Sequence, residues 1–192
     1  MRILSIDSSL GTQVAVVDTA ETAGLPGTCS VQVLSQAEQA DTRRHAESLG
    51  QMLSEALSAP GVADRPLDAV VAATGPAPFT GLRAGLVTAR VVGRTRGIPV
   101  HGVSSLDAVA RLALDELGAR QGEKDPVVLV ATDARRREVY AALFRANGPD
   151  DVTRLTEISV CPPAQVAECI AVQAPEQGSG AAAIDTVAGS GA

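Results

Sequence analysis

The sequence is poor in aromatic residues, with no tryptophan, one tyrosine and two phenylalanines among its 192 residues. Phe79, Tyr140 and Phe144 are too few to form the stacking platforms on which single-stranded nucleic acids bind. Basic residues are in deficit as well, since 16 lysines and arginines face 22 aspartates and glutamates and leave a net charge of −6. This balance argues against a protein that holds phosphate backbones by itself, so any nucleic-acid role requires a partner.

Cysteines and long apolar runs are also scarce. Cys29, Cys161 and Cys169 are odd in number and form no CxxC pair, which favours neither a disulfide framework nor a zinc site. The N-terminal MRILSIDSS predicts a strand and lacks the charged lead and apolar region of a signal peptide. No apolar run approaches membrane-spanning length. We therefore expect a cytoplasmic protein that does not enter a membrane.

The first half of the chain alternates strand and helix signals. Short β-rich runs predict strands over 2–7 and 13–18, joined by an SSLGT hairpin, and Val31–Leu34 can add a third strand. Apolar residues at intervals of three and four predict an amphipathic helix over 43–57. A nearly all-apolar strand over 68–73 is expected in the middle of the sheet.

A Gly/Pro loop over 75–80 then leads into a predicted helix over 81–96 and a strand over 99–103. Ser104 and Asp107 have the S-x-x-D spacing of a capping box, which starts a third helix that runs to about Leu117.

The second half resembles a repeat of the first. Strands are predicted over 127–133, 138–144 and 154–160, with the turn Ala134–Arg137 between the first two. A helix over 163–172 follows, and 183–188 resembles a strand. The order of elements predicts an α/β protein made of two related halves, the second one incomplete at its C-terminal end.

The SSLGT hairpin is one candidate site. Its backbone N–H groups could cradle a phosphate while Asp7 holds a metal through water, with Ser8, Ser9, Gly11 and Thr12 as further nucleotide contacts. A plain β-turn capped by Asp7 is the favoured alternative, because no second phosphate loop is evident.

A structural or surface role is the favoured interpretation of both histidines. His45 and Glu47 are two residues apart on a helix and point in different directions, whereas convergence requires a spacing of three or four. His101 stands alone on a short strand. No hydroxyl lies in a G-x-S-x-G elbow, so catalysis by this chain alone has little support.

The predicted helix over 81–96 carries a ridge of small residues, with Gly81, Gly85, Ala89 and Gly93 at intervals of four. A glycine inside a helix costs about 1 kcal/mol relative to alanine, and close packing is the natural compensation. Packing against the protein's own sheet and packing against a partner helix explain this spacing equally well.

Arg135, Arg136 and Arg137 are the densest basic cluster of the chain. A solvated hairpin turn is the favoured interpretation, and contact with RNA phosphates is the alternative.

Five segments together resemble one family. IDSS, RHAESL, ATGPAPFTGLRAGLVTAR, PVHGVSSLDAVA and DARRREVYAALF, in this order over residues 1–145, are similar to the bacterial TsaB (YeaZ) proteins, subunits of the machinery that makes threonylcarbamoyladenosine in tRNA. One departure is Ala77, which stands where the family usually has glycine in its Gly/Pro loop.

The resemblance implies an actin-like ATPase fold of the sugar-kinase/Hsp70 type. Residues 1–104 would form a first βββαβαβα lobe that carries the partner interface, and residues 105–192 a shorter second lobe that ends early. TsaB pairs with its paralogue TsaD through the first-lobe helices, which favours the partner interpretation of the glycine ridge. The expected interface residues are His45, Leu49, Met52, Leu53, Gly81, Arg83, Gly85, Leu86, Ala89 and Gly93.

The resemblance also implies a lost metal site. In the catalytic paralogue the segment matching GVSSLDAV carries two histidines, one turn apart, which bind the catalytic metal; here Ser105 and Val109 occupy those positions. A hydroxyl and an isopropyl group cannot replace two imidazoles.

The leading hypothesis is therefore a non-catalytic scaffold subunit that needs no cofactor or metal of its own. It would bind TsaD as a heterodimer, act with the ATPase TsaE through the complex, meet tRNA only there, and form a homodimer when alone. The alternatives are a small-molecule kinase or ATPase that uses Asp7 and, third, a metallopeptidase-like protein.

Overall fold

A computed structural model describes residues 1–22, 29–39, 45–121, 126–173 and 186–189; for 45–47, 79, 119–121 and 186 it describes the backbone alone. The chain divides into two compact units, residues 1–104 and residues 105–192. Each unit has its own sheet and core. None of the helices in the described ranges combines the length and apolar character required to span a bilayer.

The first unit is built on a five-stranded sheet in the order β3-β2-β1-β4-β5. These strands are β1 (Arg2–Asp7), β2 (Thr12–Glu21), β3 (Cys29–Gln39), β4 (Ala69–Ala73) and β5 (Val100–Val103). The first three are antiparallel neighbours, whereas β4 lies parallel to β1 and β5 parallel to β4. The predicted strands are confirmed, and β3 is longer than the sequence pattern indicated.

Two helices cover this sheet, α1 (His45–Ser58) and α2 (Phe79–Arg96). Strand β1 alternates between buried and half-buried residues, and its buried Leu4 and Ile6 belong to a core that includes Leu49 and Met52 of α1. Removing these side chains from water is the main force that holds the helices on the sheet. Arg43 and Arg44, predicted as helical, lie outside the described residues.

The end of α2 is fixed by Gly97, which has the left-handed φ of +67° and donates its N–H to the carbonyl of Gly93. Ile98 donates to the same carbonyl at 3.0 Å. A left-handed residue at this position satisfies the last carbonyls of a helix and turns the chain away from it. The turn lets β5 begin only three residues after Gly97, as Val100–Val103.

The second unit has a sheet in the order β10-β6-β7-β8, with β9 paired to β7 as well. Its elements are α3 (Ser105–Gln121), β6 (Val127–Arg135), β7 (Glu138–Asn147), β8 (Asp151–Arg154), β9 (Ser159–Cys161), a 3₁₀ turn (Pro163–Gln165), α4 (Val166–Gln173) and β10 (Thr186–Ala188). Side chains on the two faces of β6 enter different cores. Val128 and Val130 pack with α3 residues, whereas Val127 and Leu129 pack with Val166 and Ile170 of α4.

The second sheet repeats the connections of the first. Strands β6 and β7 form an antiparallel hairpin, as β1 and β2 do, and β10 lies parallel to β6 as β4 lies parallel to β1. In both units a helix precedes the parallel strand. The prediction of two related halves therefore holds at the level of strand order.

The single strand predicted over 154–160 is wrong. β8 ends at Arg154 and β9 begins at Ser159, so two separate strands replace the single one. The residues between them leave the regular ladder with β7. The N–H of Leu155 donates to the Leu143 carbonyl at 2.8 Å, and the Leu143 N–H donates to the Thr156 hydroxyl at 3.1 Å. A side-chain oxygen thus replaces a backbone carbonyl at this point, and the regular ladder is interrupted.

Candidate functional site

The glycine ridge of α2 faces the protein's own sheet. A Cβ added to Gly85 would lie 2.4 Å from the Oγ of Ser8, and one added to Gly93 would lie 2.2 Å from a methyl group of Val100. Ala89 is fully buried between them in the helix sequence, and Gly81 is buried as well. The assignment of Gly81, Gly85, Ala89 and Gly93 to a partner surface is therefore wrong, and packing on the sheet explains their spacing.

Ser8 holds α2 against the end of β1. Its hydroxyl donates to the carbonyl of Gly81 at 2.9 Å and accepts from the N–H of Gly85 at 3.2 Å. The helix can approach this closely only because Gly85 has no side chain. Gly85 therefore serves the internal packing of the unit.

The apolar residues predicted for the interface on α1 also turn inward. Leu49 and Met52 are buried in the core of the first unit, and Leu53 and, on α2, Leu86 are half-buried and pack against it. The assignments of Met52, Leu53 and Leu86 are corrected for the same reason, because the spacing of three and four residues marks the face that meets the sheet. Leu49 also lines a groove between α1 and α2, so its assignment stays a prediction. Arg83 remains exposed on α2, and the side chain of His45 lies outside the described residues.

The outer faces of α1 and α2 enclose a groove of about 570 Å³. Leu49 and Gly50 of α1 border one side, and the other side is bordered by α2 residues Thr80, Arg83, Ala84, Val87 and Thr88. A Cβ added to Gly50 would meet nothing within 4 Å, so the α1 side of the groove is open at that point. This is the candidate functional site.

An apolar stripe runs from the groove along α2. Val87 is 59% exposed and Val91 is 57% exposed, and these residues lie one turn apart. They are about 200° around the helix from Gly85 and Ala89, which is why they face outward. The sequence analysis missed both valines because their signal, two apolar residues opposite a glycine ridge, appears only when the ridge is known to face inward.

The predicted nucleotide contacts form a locally satisfied turn. The Oδ1 atom of Asp7 accepts from the backbone N–H of Ser9 at 2.7 Å and from its hydroxyl at 2.6 Å. Gly11 takes the positive φ of +148° that glycine tolerates. Ser8, Ser9 and Thr12 are buried, which argues against contacts between their side chains and a nucleotide. The favoured alternative, a turn capped by Asp7, describes the geometry.

The Gly/Pro loop before α2 places its positive φ at Gly75, at +87°. A Cβ at Gly75 would lie 2.9 Å from a methyl group of Leu82 and 3.0 Å from the N atom of Ala77. Ala77 itself does not take a positive φ. The alanine at this position is therefore compatible with the backbone of the loop.

Ser105 and Val109 lie one turn apart at the start of α3. Ser105 is buried and its hydroxyl has no hydrogen-bond partner within the described residues, while Val109 packs against the core that contains Leu106 and Ala110. In the described ranges no group of three or more His, Cys, Asp or Glu side chains is placed to hold a metal ion.

Two cysteines meet in the second unit, which their spacing in the sequence did not indicate. Cys161 is buried on β9, and the half-buried Cys169 of α4 packs against the same core. Burial is the larger cause and the hydrogen bond with Cys169 the smaller one, and together they raise the pKa of the Cys161 thiol to about 11. A thiol with this pKa is protonated at neutral pH and behaves as a small apolar side chain.

Comparisons with known proteins agree with this architecture. The family model described as TsaD, tRNA N6-adenosine threonylcarbamoyltransferase, matches residues 32–186. YeaZ from Pseudomonas aeruginosa is similar in structure, with a TM-score of 0.63 and 26% identity over 85% of this chain and 70% of that chain. The two-sheet α/β fold is thus that of YeaZ, the family whose actin-like fold the resemblance implied. The chain belongs to the TsaD-related family and, within it, to the TsaB (YeaZ) proteins.

The sequence matches cover only part of each relative's length. Uncharacterized proteins of Mycobacterium tuberculosis and Mycobacterium bovis are 42% identical over 143 residues, which is 71% of this chain and 63% of theirs. The tRNA N6-adenosine threonylcarbamoyltransferase of Rhizobium meliloti is 34% identical over 123 residues, 59% of this chain and 34% of that protein. The chain therefore spans less than two thirds of the length of these relatives.

Proposed function

We propose that this chain is a non-catalytic scaffold subunit of the tRNA threonylcarbamoyladenosine complex and binds the transferase subunit TsaD through the outer faces of α1 and α2. The observation that carries the proposal is the groove with its apolar stripe, where Val87 and Val91 are both more than half exposed. Exposed valines one turn apart on a helix are typical of surfaces that a second helix covers.

The chemistry of this face indicates what kind of surface fits it. The valines supply apolar area, while Arg83, Arg90 and Arg94 are exposed on the same helix. Apolar residues surrounded by charged ones match the common arrangement of an interface core with a polar rim. Gly50 lets a partner backbone come close to α1. A TsaD helix with small apolar residues and flanking carboxylates would satisfy both features.

The non-catalytic assignment is supported by the residues themselves. Ser105 and Val109 stand at the positions of the two metal-binding histidines of the catalytic paralogue, and a protonated hydroxyl and a hydrocarbon are poor ligands. Asp7, the residue on which a kinase or ATPase activity would depend, is engaged in its own turn. The wider assignment follows from the family: action in the cytoplasm, contact with TsaE and tRNA through the complex, and no cofactor of its own.

The same face explains how the protein would behave without TsaD. A two-fold contact uses one patch on both copies, so an exposed apolar stripe can pair with itself. We therefore expect a homodimer in isolation, which TsaD converts into a heterodimer by competing for α1 and α2.

The test replaces both valines by glutamate, V87E/V91E, and measures affinity for TsaD by calorimetry. Burying two carboxylates against an apolar partner is costly, so binding should weaken at least about thirtyfold. The control is V160E/V172E, which adds the same charge at two exposed valines of the second unit. Wild-type affinity in V87E/V91E, with the melting temperature preserved, would contradict the interface, and sedimentation of the isolated variant as a monomer would support it.

A further inference from the structure

The hairpin that joins β6 and β7 has an unusual backbone at its tip. Arg135 pairs with Glu138 across the ladder, so Arg136 and Arg137 are the two residues of the loop. All three arginines have positive φ, at +68°, +55° and +64°, and they are the non-glycine residues that do so in the described part of the chain. Two-residue hairpin loops with positive φ at both positions favour Asn-Gly or similar pairs. Here arginine occupies both.

The surroundings hold this backbone in place. The Oδ1 atom of Asp133 accepts from the N–H of Arg135 at 2.8 Å, and its other oxygen lies 3.4 Å from the Arg135 guanidinium. The ladder is irregular at this point, between Asp133 and Arg135. Asp133 thus balances the charge of Arg135 and fixes the start of the turn.

Arg136 and Arg137 differ from Arg135 in this respect. Both are exposed, and neither has an ion-pair or hydrogen-bond partner within the described residues. Two exposed arginines therefore lie at a tip whose backbone disfavours this residue. Backbone outliers of this kind concentrate where a ligand is held.

We propose that the Arg136–Arg137 turn binds the phosphodiester backbone of RNA. A guanidinium group pairs with two phosphate oxygens at once, which a lysine cannot do. The chain has too few aromatic residues for base stacking, and its net charge of −6 confines attraction for RNA to a local basic element. The turn is such an element, at the tip of a hairpin that can reach a groove or a loop.

This inference rests on the proposed function in one respect, because the tRNA reaches the turn in the complex with TsaD. Its test therefore begins by measuring the affinity of each variant for TsaD. R136N/R137G gives the loop the residues its backbone favours and removes both charges. R136K/R137K keeps the charges and the unfavourable φ values, and R96Q removes an exposed arginine of α2 that is not part of the proposed TsaD face.

The complexes are then titrated with a tRNA transcript by fluorescence anisotropy from about 50 to 200 mM salt. Loss of two phosphate contacts should weaken binding by R136N/R137G and make the slope of log affinity against log salt shallower by about 1.5. The R136K/R137K complex should retain most of the slope, and R96Q should match the wild type. Wild-type affinity and slope in R136N/R137G would overturn the proposal, as would an equal loss in R96Q.

Two further arms separate the remaining outcomes. Free ATP, titrated against wild type and R136N/R137G, distinguishes a nucleotide phosphate from RNA; binding of ATP that depends on the turn, with tRNA affinity unchanged, would overturn the assignment to RNA. If no complex with TsaD forms, the proposed function fails by itself. The same salt titration is then made with the isolated chain. Wild-type affinity and slope in R136N/R137G would again overturn RNA binding by the turn.

Discussion

At the scale of single residues, two glycines in neighbouring helices have opposite roles. Gly85 is in contact with the Ser8 hydroxyl, whereas Gly50 borders open space. Both lie inside helices, where alanine is intrinsically better by about 1 kcal/mol. Whether an alanine would stabilise the helix at either position therefore depends on the space around the glycine.

We expect G85A to destabilise the protein by about 1–3 kcal/mol, because the new methyl group would lie 2.4 Å from Ser8 Oγ and force the helix off the sheet. G50A is the matched control and should stabilise by about 0.5–1 kcal/mol. Urea unfolding of the two variants measures both values. A G85A variant as stable as G50A would contradict the close packing of α2 on β1.

Single residues also show which contacts could not be predicted from the sequence. The spacing of Gly81, Gly85, Ala89 and Gly93 correctly indicated a close contact but carries no sign of the partner. The contact is internal because Ser8, 77 residues before Gly85, brings β1 beneath the helix. Pairings of this range are set by tertiary packing and are absent from a local pattern. Cys161 and Cys169 illustrate the same limit, since β9 and α4 bring them together.

At the scale of elements, the β6–β7 hairpin combines a regular ladder with an unfavourable tip. Replacing Arg136 and Arg137 by the Asn-Gly pair that such loops favour should relieve the backbone. We expect R136N/R137G to stabilise the protein by about 1 kcal/mol and raise the melting temperature by about 2–4 °C. Thermal melting by circular dichroism measures the change. R136K/R137K should melt with the wild type, and a lowered melting temperature in R136N/R137G would contradict the φ values of the loop.

Elements with a strong periodic signal were predicted well. The run of β1 and the apolar period of α1 each depend on residues that are adjacent or one turn apart, so the sequence contains their pattern. The break between β8 and β9 was not predictable, because it depends on the Thr156 hydroxyl accepting from Leu143 on another strand. The apolar groove between α1 and α2 was not predicted for a related reason. Its residues can be recognised as exposed only after the faces of the two helices that pack on the sheet are known.

At the scale of the whole molecule, one buried arginine connects distant parts of the first unit. Arg2, at the start of β1, donates to Asp18 of β2, to Asp64 and to the carbonyl of Val62. Its guanidinium lowers the pKa of both Asp18 and Asp64 below the usual value of 3.8. A carboxyl group whose pKa is lowered by folding stabilises the native state above its usual pKa and loses that effect as acid protonates it.

The D18N variant tests this network. At pH 7 it should be less stable than the wild type, because the charge-assisted pairs of Asp18 with Arg2 and Arg65 are lost. The difference should shrink as the pH falls below about 4 and vanish once Asp18 is protonated in both states. Melting temperatures measured from pH 7 to pH 2.5 give the two curves. A constant difference across this range would show that Asp18 acts through packing and not through its charge.

The parallel pairing of β10 with β6 has a consequence for the order in which the molecule is made. Every strand of the first sheet lies within residues 1–104, so that sheet can close as soon as Val103 has left the ribosome. The second sheet joins Val128 to Thr186 and must wait for a segment synthesised almost sixty residues later. Domains generally fold as units, N-terminal first, during translation. The face that we assign to TsaD is therefore complete while the arginine hairpin's own sheet still lacks a strand, and a nascent chain could engage its partner before it can engage RNA.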